Sequence, residues 1–128
     1  MSTRSTHSVL VVDDHAPSRY ATARALRAAG FNVVEAAGGA QALELARYVS
    51  AVVLDVHLPD LHGFEVCRLL RERPETARLP VVHVSGVYVQ DVDIADGRLS
   101  GGDDYFVNPV DYGVLAARLD ELLASGTP

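Results

Sequence analysis

The stretch Ala-Val-Val-Leu-Asp-Val-His-Leu-Pro-Asp-Leu-His-Gly-Phe-Glu, residues 51–65, decides how this chain folds. An apolar run of strand length stops at a carboxylate, Asp55. A loop punctuated by Pro59 and Gly63 follows, and a helical pattern then begins. An acid at the carboxyl end of a buried strand is costly unless a cation or a reaction partner meets it there. The same arrangement recurs on both sides. Ser8–Val12 is a β-branched apolar run ending at Asp13-Asp14, and Leu79–Ser85 is another that ends in a hydroxyl. Phe31–Ala36 and Asp104–Val107 complete five short strands, the last leading into Asn108-Pro109.

Helical patterns separate the strands. From Pro17 the chain is alanine-rich to Ala29, with Tyr20, Ala25, Leu26 and Ala29 offered as a packing face before Gly30 stops it. Ala40–Arg47 turns Leu43 and Ala46 inward, and Gly63–Glu72 offers Phe64, Val66, Cys67 and Leu70. A fourth helix runs from about Asp91 to Leu99 and is ended by Gly101-Gly102. Asp111 is an N-cap for a fifth, in which Leu115, Leu119 and Leu122 recur at helical spacing. Five strand–helix alternations make an α/β domain, a doubly wound parallel sheet with helices on both faces. The expected domain is residues 8–124, with a disordered tail over 1–7 and a tail or linker start at 125–128.

Composition narrows the function. The chain has 128 residues, 48% hydrophobic and 22% charged, with a formal net charge of -6. Phosphate contacts need a basic face, so this balance argues against direct nucleic-acid binding. All 11 basic residues are arginine; the chain contains no lysine. Cys67 is the only cysteine, which excludes an internal disulfide and points to a cytoplasmic protein. No apolar run is long enough to span a bilayer.

In open α/β sheets the ligand sits beyond the carboxyl ends of the strands. That rim is where Asp13, Asp14, Asp55, Ser85 and Asn108 fall. Carboxylates converging from two strands repel one another unless a cation neutralises them. Oxygen-only donors with an incomplete protein shell suit Mg²⁺ or Mn²⁺. A carboxylate beside such a metal can attack phosphorus and form an acyl phosphate.

These residues, in this order, resemble the receiver domains of two-component response regulators. The matching motifs are Val11-Val12-Asp13-Asp14, Leu54–Gly63, Ser85-Gly86, and Gly101-Gly102-Asp103-Asp104-Tyr105-Phe106-Val107-Asn108-Pro109, spread over about Ser8 to Leu123. The resemblance implies a five-stranded sheet of order 2-1-3-4-5 flanked by five helices. It makes Asp55 the phospho-acceptor, and Asp13, Asp14, Asp55 and the backbone carbonyl of His57 the Mg²⁺ ligands, Asp13 acting largely through water. Ser85 and Tyr105 become the switch residues. Asn108, before Pro109, stands where the family carries a lysine. The implied partner is a histidine kinase or a phosphotransfer protein, with sensor-kinase or output domains as possible covalent neighbours. The output face would be that of the fourth helix, fifth strand and fifth helix.

A receiver of this kind is a phospho-accepting signalling domain rather than an enzyme. The alternative on the same fold is a pseudo-receiver, a protein-interaction module that works without phosphorylation. A hydrolase of the dehalogenase type needs an Asp-x-Asp pair after the first strand, which Asp13-Asp14 does not provide. The histidines have no zinc-site spacing; His15 and His57 flank the acidic rim, and His83 reads as a satisfied core histidine. Cys67 reads as a small buried apolar residue, and the arginines at 68, 71, 73 and 78 as a solvated face.

Overall fold

Strand-length runs that are apolar on both faces belong in the middle of a sheet covered on both sides. The computed structural model describes residues 3–86 and 100–125. Its strands are β1 (Ser8–Val12), β2 (Asn32–Ala36), β3 (Ala51–Asp55), β4 (Val81–Ser85) and β5 (Asp104–Val107). All neighbours pair parallel, in the order β2-β1-β3-β4-β5, as the sequence leads one to expect. The central strands are sealed: Val9, Leu10, Ala51, Val52 and Leu54 have no exposed surface.

Successive side chains of a strand point to opposite faces, so each face receives its own helices. On one side Leu10, Val12, Val52 and Leu54 meet α2 (Gly39–Leu45) and α3 (Gly63–Glu72) through Ala42, Val66, Cys67 and Leu70. On the other, Val9, Val11 and Val53 meet α1 (Ala16–Ala28) and the C-terminal helix α4 (Tyr112–Ser125) through Leu26, Leu115 and Leu119. The helix expected from about Asp91 to Leu99 lies outside the described residues, which therefore contain four α-helices.

The helix ends follow local chemistry. α1 is capped by His15, whose Nδ1 accepts the Ser18 N–H at 3.3 Å, with Pro17 in the first turn. Gly30, at φ +109°, makes the left-handed exit from α1 that a side chain would resist. Asp111 caps α4 as expected, its Oδ1 accepting from Gly113 and Val114 at 2.9 and 3.1 Å. Two side chains depart from the sequence pattern. Tyr20, expected to pack, is 59% exposed, and Ala23 takes the inward place beside Leu26. Pro80 stands outside β4, which starts one residue later; it has no N–H to give the ladder, but its carbonyl accepts from Val52 at 2.9 Å.

The N-terminal segment corrects the expectation of a disordered tail. Arg4–Thr6 form a 3-10 turn. The Arg4 guanidinium lies 5.3 Å from the Phe31 ring centroid and donates to the Ala29 carbonyl at 3.0 Å and to Asp120 of α4 at 2.6 Å. A single side chain thus pins the start of the chain across the α1 and α4 side. Arg71 also departs from the solvated face. It donates to the carbonyls of Gly101 at 2.9 Å and Leu79 at 2.6 Å and pairs with Asp103 at 3.2 Å, tying α3 to the entries of β4 and β5. Arg68, by contrast, behaves as read, pairing on the surface with Glu65 and Glu72.

Gly63 allows the loop after β3 to fold back tightly. Its N–H donates to the Val56 carbonyl at 2.8 Å, and a Cβ built there would stand 2.8 Å from the Val56 Cα, closer than real atoms come. We expect Gly63→Ala to cost about 1–3 kcal/mol, the range of an overpacked core position. Urea unfolding checks this, as a lower midpoint at unchanged slope.

Candidate functional site

The parallel sheet brings the carboxyl ends of its strands to one edge, and the acids come with them. Asp55 is the last residue of β3 and pairs across to Val84, so Ser85 lies one step further along β4. Asp13 and Asp14 follow β1 directly, and the Asp13 N–H still bonds to the Ala36 carbonyl at the end of β2. One carboxylate oxygen from each of Asp13, Asp14 and Asp55 lies within 4.8 Å of the other two. The expected acidic cluster is therefore assembled.

The three acids are held differently. Asp13 is already engaged: its Oδ1 accepts the His15 N–H at 2.9 Å and its Oδ2 the Ser18 hydroxyl at 2.6 Å. Asp14 is exposed and Asp55 half-buried. Burial pushes the Asp55 carboxyl up to about 6. The His57 N–H, 3.1 Å from Oδ1, works against that rise, and the charges of Asp13 and Asp14 add to it. An arginine reaches the edge of the rim: Arg19 donates to the backbone carbonyl of Asp13 at 2.9 Å. Its Nε is bonded to Glu35 at 3.2 Å, which holds the guanidinium on the β2 side.

The donor set fits a small hard cation. Carboxylate oxygens are the donors that Mg²⁺ prefers, and three of them already converge within 4.8 Å. Prior bonding of both Asp13 oxygens suits a ligand that acts through water. His57 is exposed, its N–H given to Asp55.

Beside the acids opens a cleft of about 740 Å³. Asp13, His15, Asp55 and Asn108 line its polar end, and Val84, Val110 and Leu115 contribute to its apolar walls. Among the described residues that line it there is no Lys or Arg. Asn108, in a cis peptide with Pro109, is exposed, and its N–H bonds to the Ser85 carbonyl at 2.9 Å. Ser85 itself is fully buried. Tyr105 is half-buried on the other side of the sheet edge, its ring 6.3 Å from that of Phe64 and 6.4 Å from that of His83.

Two features were not legible in the sequence. Asp60, in the loop after Asp55, caps α2 by accepting from Gly39 and Ala40, both at 2.9 Å, which holds its carboxyl below the usual range. His83 is buried as expected but not satisfied. Neither ring nitrogen has a hydrogen-bond partner among the described residues, the Phe64 ring stands edge-on at 4.9 Å, and burial pushes the imidazole down to about 4. Cys67 is buried as expected, its thiol pushed up to about 11 by burial, which makes it inert.

Asp55 and His83 bend the pH dependence of stability in opposite directions. Asp55 binds its proton more tightly folded than unfolded, so its contribution is full below about pH 4 and is lost as pH rises through 6. His83 binds its proton less tightly folded, so its contribution is full above about pH 6.5 and is lost as pH falls through 4. The two contributions therefore oppose each other between about pH 4 and pH 6.5. Urea titrations from pH 4 to 7 should show Asp55→Asn gaining stability as pH rises and His83→Leu losing it. Parallel profiles for the two variants would refute the assignment.

Comparison with known proteins agrees with this geometry. The family model for the response regulator receiver domain matches residues 9–120. The transcriptional regulatory protein AfsQ1 of Streptomyces coelicolor is 39% identical over 121 residues, covering 93% of this chain and 52% of that protein. The chain thus spans about half the length of that relative. A putative response regulator from Chloroflexus aurantiacus superposes with a TM-score of 0.86 at 30% identity, covering 92% of this chain and 98% of that one. The receiver domain of a sensor histidine kinase from Pseudomonas aeruginosa, solved with a magnesium ion coordinated in its active-site cleft, superposes with a TM-score of 0.83 at 25% identity, covering 92% and 98%.

Proposed function

The chain belongs to the response regulator receiver domain family, and from that membership we propose that Asp55 accepts a phosphoryl group from a histidine kinase or a phosphotransfer protein. The observation that carries this is the convergence of Asp13, Asp14 and Asp55 within 4.8 Å at the strand ends, with Asp55 half-buried. A nucleophilic carboxylate must be ionised, and a group titrating at about 6 is largely ionised at neutral pH. An Asp55 oxygen forms the new bond to phosphorus as the bond to the donor's leaving atom breaks. Asp14 and Asp55, with the His57 carbonyl, would hold Mg²⁺ or Mn²⁺, and Asp13 would hold it through water. When bound, the ion supplies positive charge to the phosphoryl oxygens. Ser85 and Tyr105 are the switch residues of this reading, and the output leaves through the face carrying β5 and α4. No described helix is long and apolar enough to cross a membrane, which is compatible with a cytoplasmic location.

Asn108 supports the further reading that phosphorylation here is slower, or less tightly coupled to output, than in receivers with a lysine at that place. A unit positive charge about 4 Å from a phosphoryl oxygen interacts by roughly 4 kcal/mol at an effective dielectric of 20. The metal and solvent reduce the net loss to about 1–2 kcal/mol, roughly a 5- to 30-fold slower reaction. The pseudo-receiver alternative draws on the same residue, since the described lining of the cleft carries no Lys or Arg.

Intact-mass analysis after incubation with a small acyl phosphate and Mg²⁺ tests the proposal. One phosphoryl group per chain is expected, absent in Asp55→Asn and without Mg²⁺, and formed about 5- to 30-fold faster in Asn108→Lys. No modification of either the native chain or Asn108→Lys would leave the interaction-module reading in its place.

A further inference from the structure

Of the three acids, only Asp13 is held by a side chain among the described residues; Asp55 accepts a backbone N–H, from His57. Asp13 Oδ1 accepts the His15 N–H at 2.9 Å, its Oδ2 accepts the Ser18 hydroxyl at 2.6 Å, and Arg19 fixes its backbone carbonyl at 2.9 Å. The Ser18 hydroxyl has one proton and three acceptors within reach: Asp13 Oδ2 at 2.6 Å, His15 Nδ1 at 2.9 Å and the His15 carbonyl at 3.1 Å. His15 Nδ1 accepts the Ser18 N–H at 3.3 Å and so has no proton of its own to give. The carboxylate is both the nearest acceptor and the charged one, and it takes the hydroxyl proton. Ser18 lies in the first turn of α1, where Pro17 and the His15 cap hold the backbone, so the hydroxyl meets Asp13 from a fixed base.

The hold matters because divalent ions differ in what they ask of an acidic cluster. Mg²⁺ dehydrates reluctantly and keeps several waters, whereas Ca²⁺ takes about six to eight oxygens in a looser shell and gains from every carboxylate that reaches it. We propose that Ser18 is a positioning residue that sets the metal selectivity of this site: its hydroxyl keeps the Asp13 carboxylate back from direct coordination, which favours Mg²⁺ over Ca²⁺. With Asp13 held, the direct protein donors are Asp14, Asp55 and the His57 carbonyl, and water fills the remainder. Without the hydroxyl, Asp13 keeps its bond from the His15 N–H, and Oδ2 is released to close on a larger ion. The inference rests on the metal site proposed above.

Calorimetric titration of the full chain with Mg²⁺ and with Ca²⁺, at constant ionic strength and pH and with no phosphoryl donor, tests this. In Ser18→Ala the Ca²⁺ dissociation constant should fall about tenfold and that of Mg²⁺ move by less than about threefold, because the number and rigidity of charged donors set Ca²⁺ affinity. Ser18→Thr keeps the hydroxyl and should bind both ions as the native chain does. Ser18→Val, of the same shape without the hydroxyl, should repeat Ser18→Ala. Combining Asp13→Asn with Ser18→Ala should abolish the Ca²⁺ gain. Equal shifts for the two ions, or a Ca²⁺ gain that survives Asp13→Asn, would overturn the proposal. So would unchanged affinities in a folded Ser18→Val whose urea midpoint has dropped, which would leave Ser18 as a helix-start residue only. Failure of the native chain to bind either ion would instead overturn the metal site on which the proposal rests.

Discussion

Mutual repulsion of carboxylates is the constraint around which this molecule is arranged. A parallel sheet collects strand ends on one edge, and β1 and β3 both end in acid, so Asp13, Asp14 and Asp55 meet within 4.8 Å. The sheet cannot relieve the repulsion by spreading, because the strands that carry the acids are its most deeply buried members. Relief is local. Asp13 is pinned by Ser18 and the His15 N–H, Asp14 turns to solvent, and Asp55 titrates near 6. What remains is an unfilled demand for positive charge, which a metal ion meets in part.

That demand was visible in the sequence because it is local. An apolar run ended by an acid needs only the chain itself to be recognised, and the alternation of strands and helices brings the run-ends to one edge. The Asp111 cap was visible for the same reason. The contacts that escaped notice span long sequence separations: Arg71 to Gly101 and Asp103, Asp60 to Gly39 and Ala40, Arg4 to Asp120. An arginine among glutamates on a helix looks solvated until the loop carrying its real acceptors is folded over it. His83 escaped differently. Its burial follows from the strand pattern, but whether it meets a partner depends on which side chains surround it, and Phe64, its described neighbour, offers no acceptor. Tyr20 failed as a packing residue because alanine at position 23 lets α1 approach the sheet closely and leaves the tyrosine on the outer face.

Both sides of the sheet carry long-range bridges, Arg4 to Asp120 on the α1 and α4 side among them, and the cleft lies on that same side. On the α2 and α3 side, Arg71 and Asp60 make fixed bridges between elements distant in sequence. On the α1 and α4 side, the cleft runs inward from Asp55 between apolar walls. Asp13 and Asp55 therefore stand at the mouth of a cleft that opens on the α1 and α4 side.

The Asp60 cap has a mechanical consequence at the site itself. The loop that starts at Asp55 is clamped near its far end, by Asp60 on the α2 amides and by Gly63 folded back on Val56. The stretch from Asp55 to Gly63 is thus tied at both ends, which fixes the start of α2 and of α3 relative to the strand end that carries Asp55.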